Sequence, residues 1–179
     1  MRFQETRLEG AYVVDVEPER DERGFFARSF CAREFAQHGL QAVVAQCNIS
    51  FSPRKGTLRG LHFSVGAGAE AKLVRCTRGA IWDVIVDLRP DSPTYREHVG
   101  IELTANSHRA LYVPSGYAHG LQTLMDDTEI FYQMSEFYVP GAQRGYRFDD
   151  PAFAINWPLA VAVISERDAR APCLIDAGP

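Results

Sequence analysis

The chain is 179 residues long, 46% of them apolar and 23% charged, with a formal net charge of −4. That length predicts one domain over residues 1–179, with room for a substantial core, and the acidic balance offers no footing for nucleic acid. Met1-Arg2-Phe3-Gln4-Glu5 lacks a secretory apolar run, no stretch reaches transmembrane length, and Cys31, Cys47, Cys76 and Cys173 form no C-x-x-C pair, so a cytoplasmic protein with reduced thiols and no membrane partner is expected.

Runs of β-branched and aromatic residues predict strands, in chain order, at Ala11–Val16, Val43–Phe51, Ala71–Thr77, Ala80–Leu88, Val99–Leu103, Arg109–Val113, Leu121–Leu124 and Glu129–Tyr138. The segments 53–56, 78–79 and 90–93 are rich in Pro and Gly and mark turns between them. The charged stretch 18–24 reads as a solvated loop. In 81–87, Ile81, Asp83, Ile85 and Asp87 share one face, and Trp82, Val84 and Val86 the other. Only Arg33–His38 and the segment after Ser165 look helical. Closely spaced strands with tight turns predict an all-β sandwich or jelly-roll barrel with a few short helices.

Two segments carry the chemistry. Gly60-Leu61-His62-Phe63-Ser64 and Pro114-Ser115-Gly116-Tyr117-Ala118-His119 resemble the two halves of a cupin metal site, with Ser64 where the second histidine of His-x-His stands. Two imidazoles do not make a catalytic metal site, which needs at least three protein ligands, so His62 and His119 read as proton carriers. His38, His98 and His108 sit in polar settings and read as surface residues. Lys72 opens an apolar strand. It either faces inward with a partner or reaches solvent. Tyr132 and Tyr138 are evenly spaced and are expected on one strand face. Asp168 fits an S-x-x-D cap after Ser165. Arg23, Arg59, Gln46 and Asn48 add donors, and an arginine pair suits a diphosphate.

The motifs Asp21-Glu22-Arg23-Gly24-Phe25-Phe26, Gln46-Cys47-Asn48-Ile49-Ser50, Lys55-Gly56-Thr57-Leu58-Arg59-Gly60-Leu61-His62, Ala71-Lys72-Leu73-Val74, Pro114-Ser115-Gly116-Tyr117-Ala118-His119-Gly120 and Ile164-Ser165-Glu166-Arg167-Asp168 run in order along residues 10–170. On them the chain resembles the dTDP-4-dehydrorhamnose 3,5-epimerases and related nucleotide-sugar enzymes. The resemblance implies a homodimeric, metal-free cupin jelly roll without cofactors, acting on a nucleotide-diphosphate sugar. It implies His62 as base, Asp168 as its partner, Tyr132 as acid, and Lys72 and His119 lining the sugar. Tyr138 would stack on the base. Arg59, Gln46 and Asn48 would hold the ligand, with Arg23 reaching it from the neighbouring subunit. Phe26, Arg28, Gln143 and Arg167 complete the implied substrate-binding set.

The chain departs from the family pattern at three places. Arg28 replaces a glutamate near the nucleotide base, Ser64 replaces a glutamine, and Gln133-Met134 replace Lys-Thr. Arg28 is therefore expected to face the nucleotide and alter base choice. Epimerisation at one carbon, a ketoisomerase, a metal-dependent cupin using His62, His119 and Glu70, and a non-catalytic sugar-binding cupin stay open as alternatives.

Overall fold

The computed structural model describes residues 1–177. Its strands are β1 (Arg2–Glu5), β2 (Tyr12–Asp15), β3 (Glu19–Asp21), β4 (Gly24–Phe26), β5 (Gln46–Ser52), β6 (Leu58–Ser64), β7 (Lys72–Arg78), β8 (Ala80–Asp87), β9 (His98–Thr104), β10 (Ala110–Val113), β11 (Tyr117–Thr123), β12 (Thr128–Met134) and β13 (Gln143–Gly145). The α-helices are short: α1 (Ala32–Gln37) and α2 (Glu166–Ala169).

Six strands form one sheet in the order β1-β2-β10-β7-β12-β5, and five form a second in the order β13-β6-β11-β8-β9. All the strand pairings in both sheets are antiparallel. The two sheets share one core. Val74, Cys76, Leu111, Val113 and Ile130 come from the first, and Ile81, Ile85, Leu103, Tyr117 and Leu121 from the second. This is an all-β jelly-roll sandwich, with side chains alternating between the core and the outer faces.

The outer faces are covered too. Phe35 of α1 and Leu40 pack over Val14, Leu73 and Tyr112 on the six-stranded sheet. Phe153, with Tyr146 and Trp157 beside it, covers Leu61, Val86 and Ala118 on the five-stranded sheet.

Several elements differ from their sequence pattern. Strand β6 is absent from the predicted set because Arg59-Gly60 breaks its alternation. The charged stretch expected as a solvated loop folds into a separate hairpin, β3–β4. Strand β12 ends at Met134, so Tyr138 leaves the strand that Tyr132 occupies. His98 is half-buried, and burial lowers its pKa, so it is not a polar surface residue. No disulfide forms among the described residues, and none of their helices is long and apolar enough to cross a membrane.

Candidate active site

The inner faces of the sandwich are apolar at one end and polar at the other. Along β7 the inward series is Lys72, Val74, Cys76; along β12 it is Ile130, Tyr132, Met134. At the polar end both sheets line one cavity of about 780 Å³. Gln46, Asn48, Lys72 and Tyr132 enter it from the six-stranded sheet, and Arg59, His62, His119 and Gln143 from the five-stranded sheet. Tyr138, Arg167 and Asp168 complete the wall from connecting segments and α2.

His62 Nε2 lies 2.7 Å from Asp168 Oδ1. The other carboxylate oxygen accepts the Gly60 N–H at 3.1 Å. The cap of α2 is Ser165, whose hydroxyl accepts the Asp168 N–H at 3.1 Å. The S-x-x-D pattern thus supplies a serine cap, while the aspartate side chain crosses to β6. Burial pushes the Asp168 carboxyl up, but the His62 hydrogen bond and charge, with the Gly60 N–H, outweigh it and hold it below the usual range. A carboxylate on one ring nitrogen fixes the imidazole's orientation and leaves the other with a lone pair.

Gly60 makes this contact possible. It has φ +104, and a Cβ there would lie 2.6 Å from His119 O and 2.7 Å from Gly120 Cα. Strands β6 and β11 therefore close together at a register shift, with His62 and His119 as cross-strand partners.

His119 has its own carboxylate. Its Nε2 lies 2.7 Å from Asp83 Oδ1, and Asp83 is fully buried. Asp83 Oδ2 is buried without a hydrogen-bond partner among the described residues. Lys72 faces inward, with its ammonium 3.1 Å from Glu70 Oε1. The side chains are only 12% and 7% exposed, which excludes the reading of a lysine reaching solvent. Burial pushes the Tyr132 phenol up, with the Arg59 charge pulling weakly the other way, so it is a neutral donor near pH 7.

Polar side chains also line the cavity from its other strands. Arg59 donates to Ser52 Oγ at 3.2 Å and to Phe51 O at 3.0 Å, which orients its guanidinium. Gln46 and Asn48 both donate to Met134 Sδ, at 3.5 and 3.1 Å. Gln46 Oε1 also accepts the Tyr138 N–H at 2.9 Å, tying the exposed Tyr138 ring to the rim.

Three expected site residues lie outside this cavity. Arg23 and Phe26 stand exposed on the β3–β4 hairpin, and Arg23 pairs with Asp21. Arg28 donates to Glu34 of α1 at 3.0 Å, away from the residues that line the cavity. Two partners escaped sequence reading: Asp83 behind His119 and Glu70 behind Lys72. Asp83 had a signal, a carboxylate in register with Ile81 and Ile85 on a core-facing strand. Among the described residues no group of three or more His, Cys, Asp or Glu side chains is placed to hold a metal ion. Glu70 in particular is held by Lys72.

The family model described as dTDP-4-dehydrorhamnose 3,5-epimerase matches residues 5–176. A curated enzyme of that name from Sinorhizobium fredii is 41% identical over 177 residues, spanning 98% of this chain and 91% of its own length. The crystal structure of dTDP-4-dehydrorhamnose 3,5-epimerase from Elizabethkingia anophelis superposes with a TM-score of 0.96 at 36% identity, covering 100% of this chain and 99% of that one. The dTDP-6-deoxy-D-glucose-3,5-epimerase of Legionella pneumophila, solved in complex with dTDP-4-keto-L-rhamnose, superposes at 0.90 with 35% identity over 98% and 95% of the two chains.

Proposed function

This chain belongs to the dTDP-4-dehydrorhamnose 3,5-epimerase family, and on that premise we propose that it inverts C3 and C5 of a dTDP-linked 4-keto-6-deoxyhexose. It is an isomerase acting on a nucleotide sugar. The observation that carries the mechanism is one cavity with a His–Asp pair on one wall and a half-buried neutral phenol on the opposite sheet.

The C4 ketone acidifies the C–H bonds at C3 and C5. His62 takes one of these protons, and Asp168 stabilises the imidazolium. The electron pair of the broken C–H bond moves onto the C4 oxygen as an enolate. The Lys72 ammonium stabilises that oxygen, by about 3–4 kcal/mol if it acts as an oxyanion-hole donor does. Tyr132 then gives a proton to carbon from the opposite side of the ring, and the centre inverts. Base and acid must flank the sugar for this to work; the entry of His62 and Tyr132 into one cavity from different sheets supports that reading. The sequence consumes no electrons.

Arg59, Gln46, Asn48, Gln143 and Arg167 are assigned to the nucleotide diphosphate, His119 to the sugar and Tyr138 to the base. Arg23, Phe26 and Arg28 are assigned to the neighbouring site of a cytoplasmic homodimer. Support for the dimer is the exposure of Phe25 (43%) and Phe26 (74%) on the hairpin, and of Ile49 (66%) on the edge strand β5.

Incubation with dTDP-4-keto-6-deoxyglucose in D₂O, followed by NMR, tests this reading. Deuterium at C3 and C5 is expected with the wild type and is lost in His62→Ala. A wild type that leaves both positions unlabelled would overturn it.

A further inference from the structure

We propose that Glu70 is a positioning residue for the reaction, holding the Lys72 ammonium where the enolate oxygen forms; this rests on the epimerase reading above. The alternation at the start of β7 sends Glu70 and Lys72 inward, and Ala71 outward beneath Phe35 and Leu73. Ala71 is pinned on both sides. Its N–H donates to Ser135 Oγ at 2.8 Å, and its carbonyl accepts the Ser135 N–H at 3.0 Å. The backbone between the two charged residues is thus fixed, and their side chains meet at 3.1 Å inside the cavity.

Lys72 needs that partner. Its cross-strand neighbours are Val113 on β10 and Met134 on β12, whose side chains offer the ammonium no oxygen acceptor. Apart from Glu70, the carboxylate among the described residues that lines this cavity is Asp168, and His62 engages it. Glu70 accepts one N–H of the ammonium, which keeps further donors for a ligand oxygen. A flexible four-carbon stem becomes an oriented donor, and such pre-organisation is what makes a charge useful to a transition state.

A double-mutant cycle of Glu70→Ala, Lys72→Met and the pair, read by kcat and KM in the epimerase assay, tests the inference. Glu70→Ala is expected to lower kcat about tenfold or more with KM within about threefold, as loss of an interaction specific to the transition state does. The pair should be no slower than Lys72→Met alone, because Glu70 acts through Lys72. Glu70→Gln, which keeps shape and an acceptor oxygen, should recover most of kcat; it also serves if Glu70→Ala does not fold. Multiplicative effects in the cycle, or a Glu70→Gln no better than a folded Glu70→Ala, would overturn the role. So would kcat in both Glu70 variants within twofold of wild type. Wild type without any exchange would sink the epimerase reading and this inference together, whereas active wild type with unaffected Glu70 variants sinks this inference alone.

Discussion

His62 and Asp168 stand 106 residues apart in the chain, and the closed sandwich brings Nε2 of one to 2.7 Å from Oδ1 of the other. The aspartate also takes the Gly60 N–H, so it grips the strand two residues before His62. Ring orientation and strand position are set by a single carboxylate.

Asp168→Asn tests that support. The amide keeps the size of the side chain but carries no charge to stabilise the imidazolium. A fall in kcat of about 10²–10⁴-fold is expected, with dTDP affinity by calorimetry little changed. A variant within threefold of wild type would remove Asp168 from the mechanism.

The same carboxylate links stability to acid. Its folded pKa lies below the ordinary value, so its contribution is complete above about pH 4, the unfolded carboxylate value. As pH falls below that and through the lower folded value, the contribution is lost. Urea unfolding from pH 7 to pH 3 should therefore show wild type losing more stability than Asp168→Asn over the acid end. Parallel losses in the two proteins would contradict this linkage.

Tyr132→Phe removes the donor from the opposite wall and leaves the base intact. His62 can still withdraw a proton and return a deuteron to the same face. Exchange in D₂O without inversion is expected, with net epimerisation slowed by about 10²–10⁴-fold. NMR of label and product configuration separates the two events, and inversion at the wild-type rate would exclude the phenol as acid.

Gly60→Ala places a methyl against His119 O and Gly120 Cα at a positive φ. Backbone strain of this kind costs about 1–3 kcal/mol, and overpacking adds about as much again. The unfolding midpoint should drop accordingly, and activity should fall because the Gly60 N–H no longer meets Asp168. An unchanged midpoint would mean the β6–β11 contact is loose.

Subunit complementation tests the dimer. Arg23→Ala and His62→Ala should each be inactive alone. A co-refolded equal mixture should recover about a quarter of wild-type activity, since half the dimers are mixed and each holds one intact site. No recovery, with mixed dimers demonstrated by native mass spectrometry, would place Arg23 outside the neighbouring site.

Much of this protein was legible from local pattern. Period-two alternation in 81–87 separates the core face of Ile81 and Ile85 from the outer face of Val86, and turn chemistry spaces the strands. Motif order pointed to the dTDP-4-dehydrorhamnose 3,5-epimerase family, to which the chain belongs. The readable residues are those whose role follows from their own type and their near neighbours: an inward histidine after a glycine, a serine capping a short helix.

Partnership was not legible. Whether Lys72 faced solvent or the cavity depended on Glu70 and on β10 and β12 closing around it. Whether Asp168 capped its own helix or served His62 depended on where α2 docks against β6. Tyr138 left the strand of Tyr132 because β12 ends at Met134, where the chain turns to the rim. Alternation assigns a side chain to a face, but the charge that meets it there comes from elsewhere in the chain. Only closure of the two sheets brings those groups within hydrogen-bonding distance, so the electrostatics of the site belong to the tertiary structure.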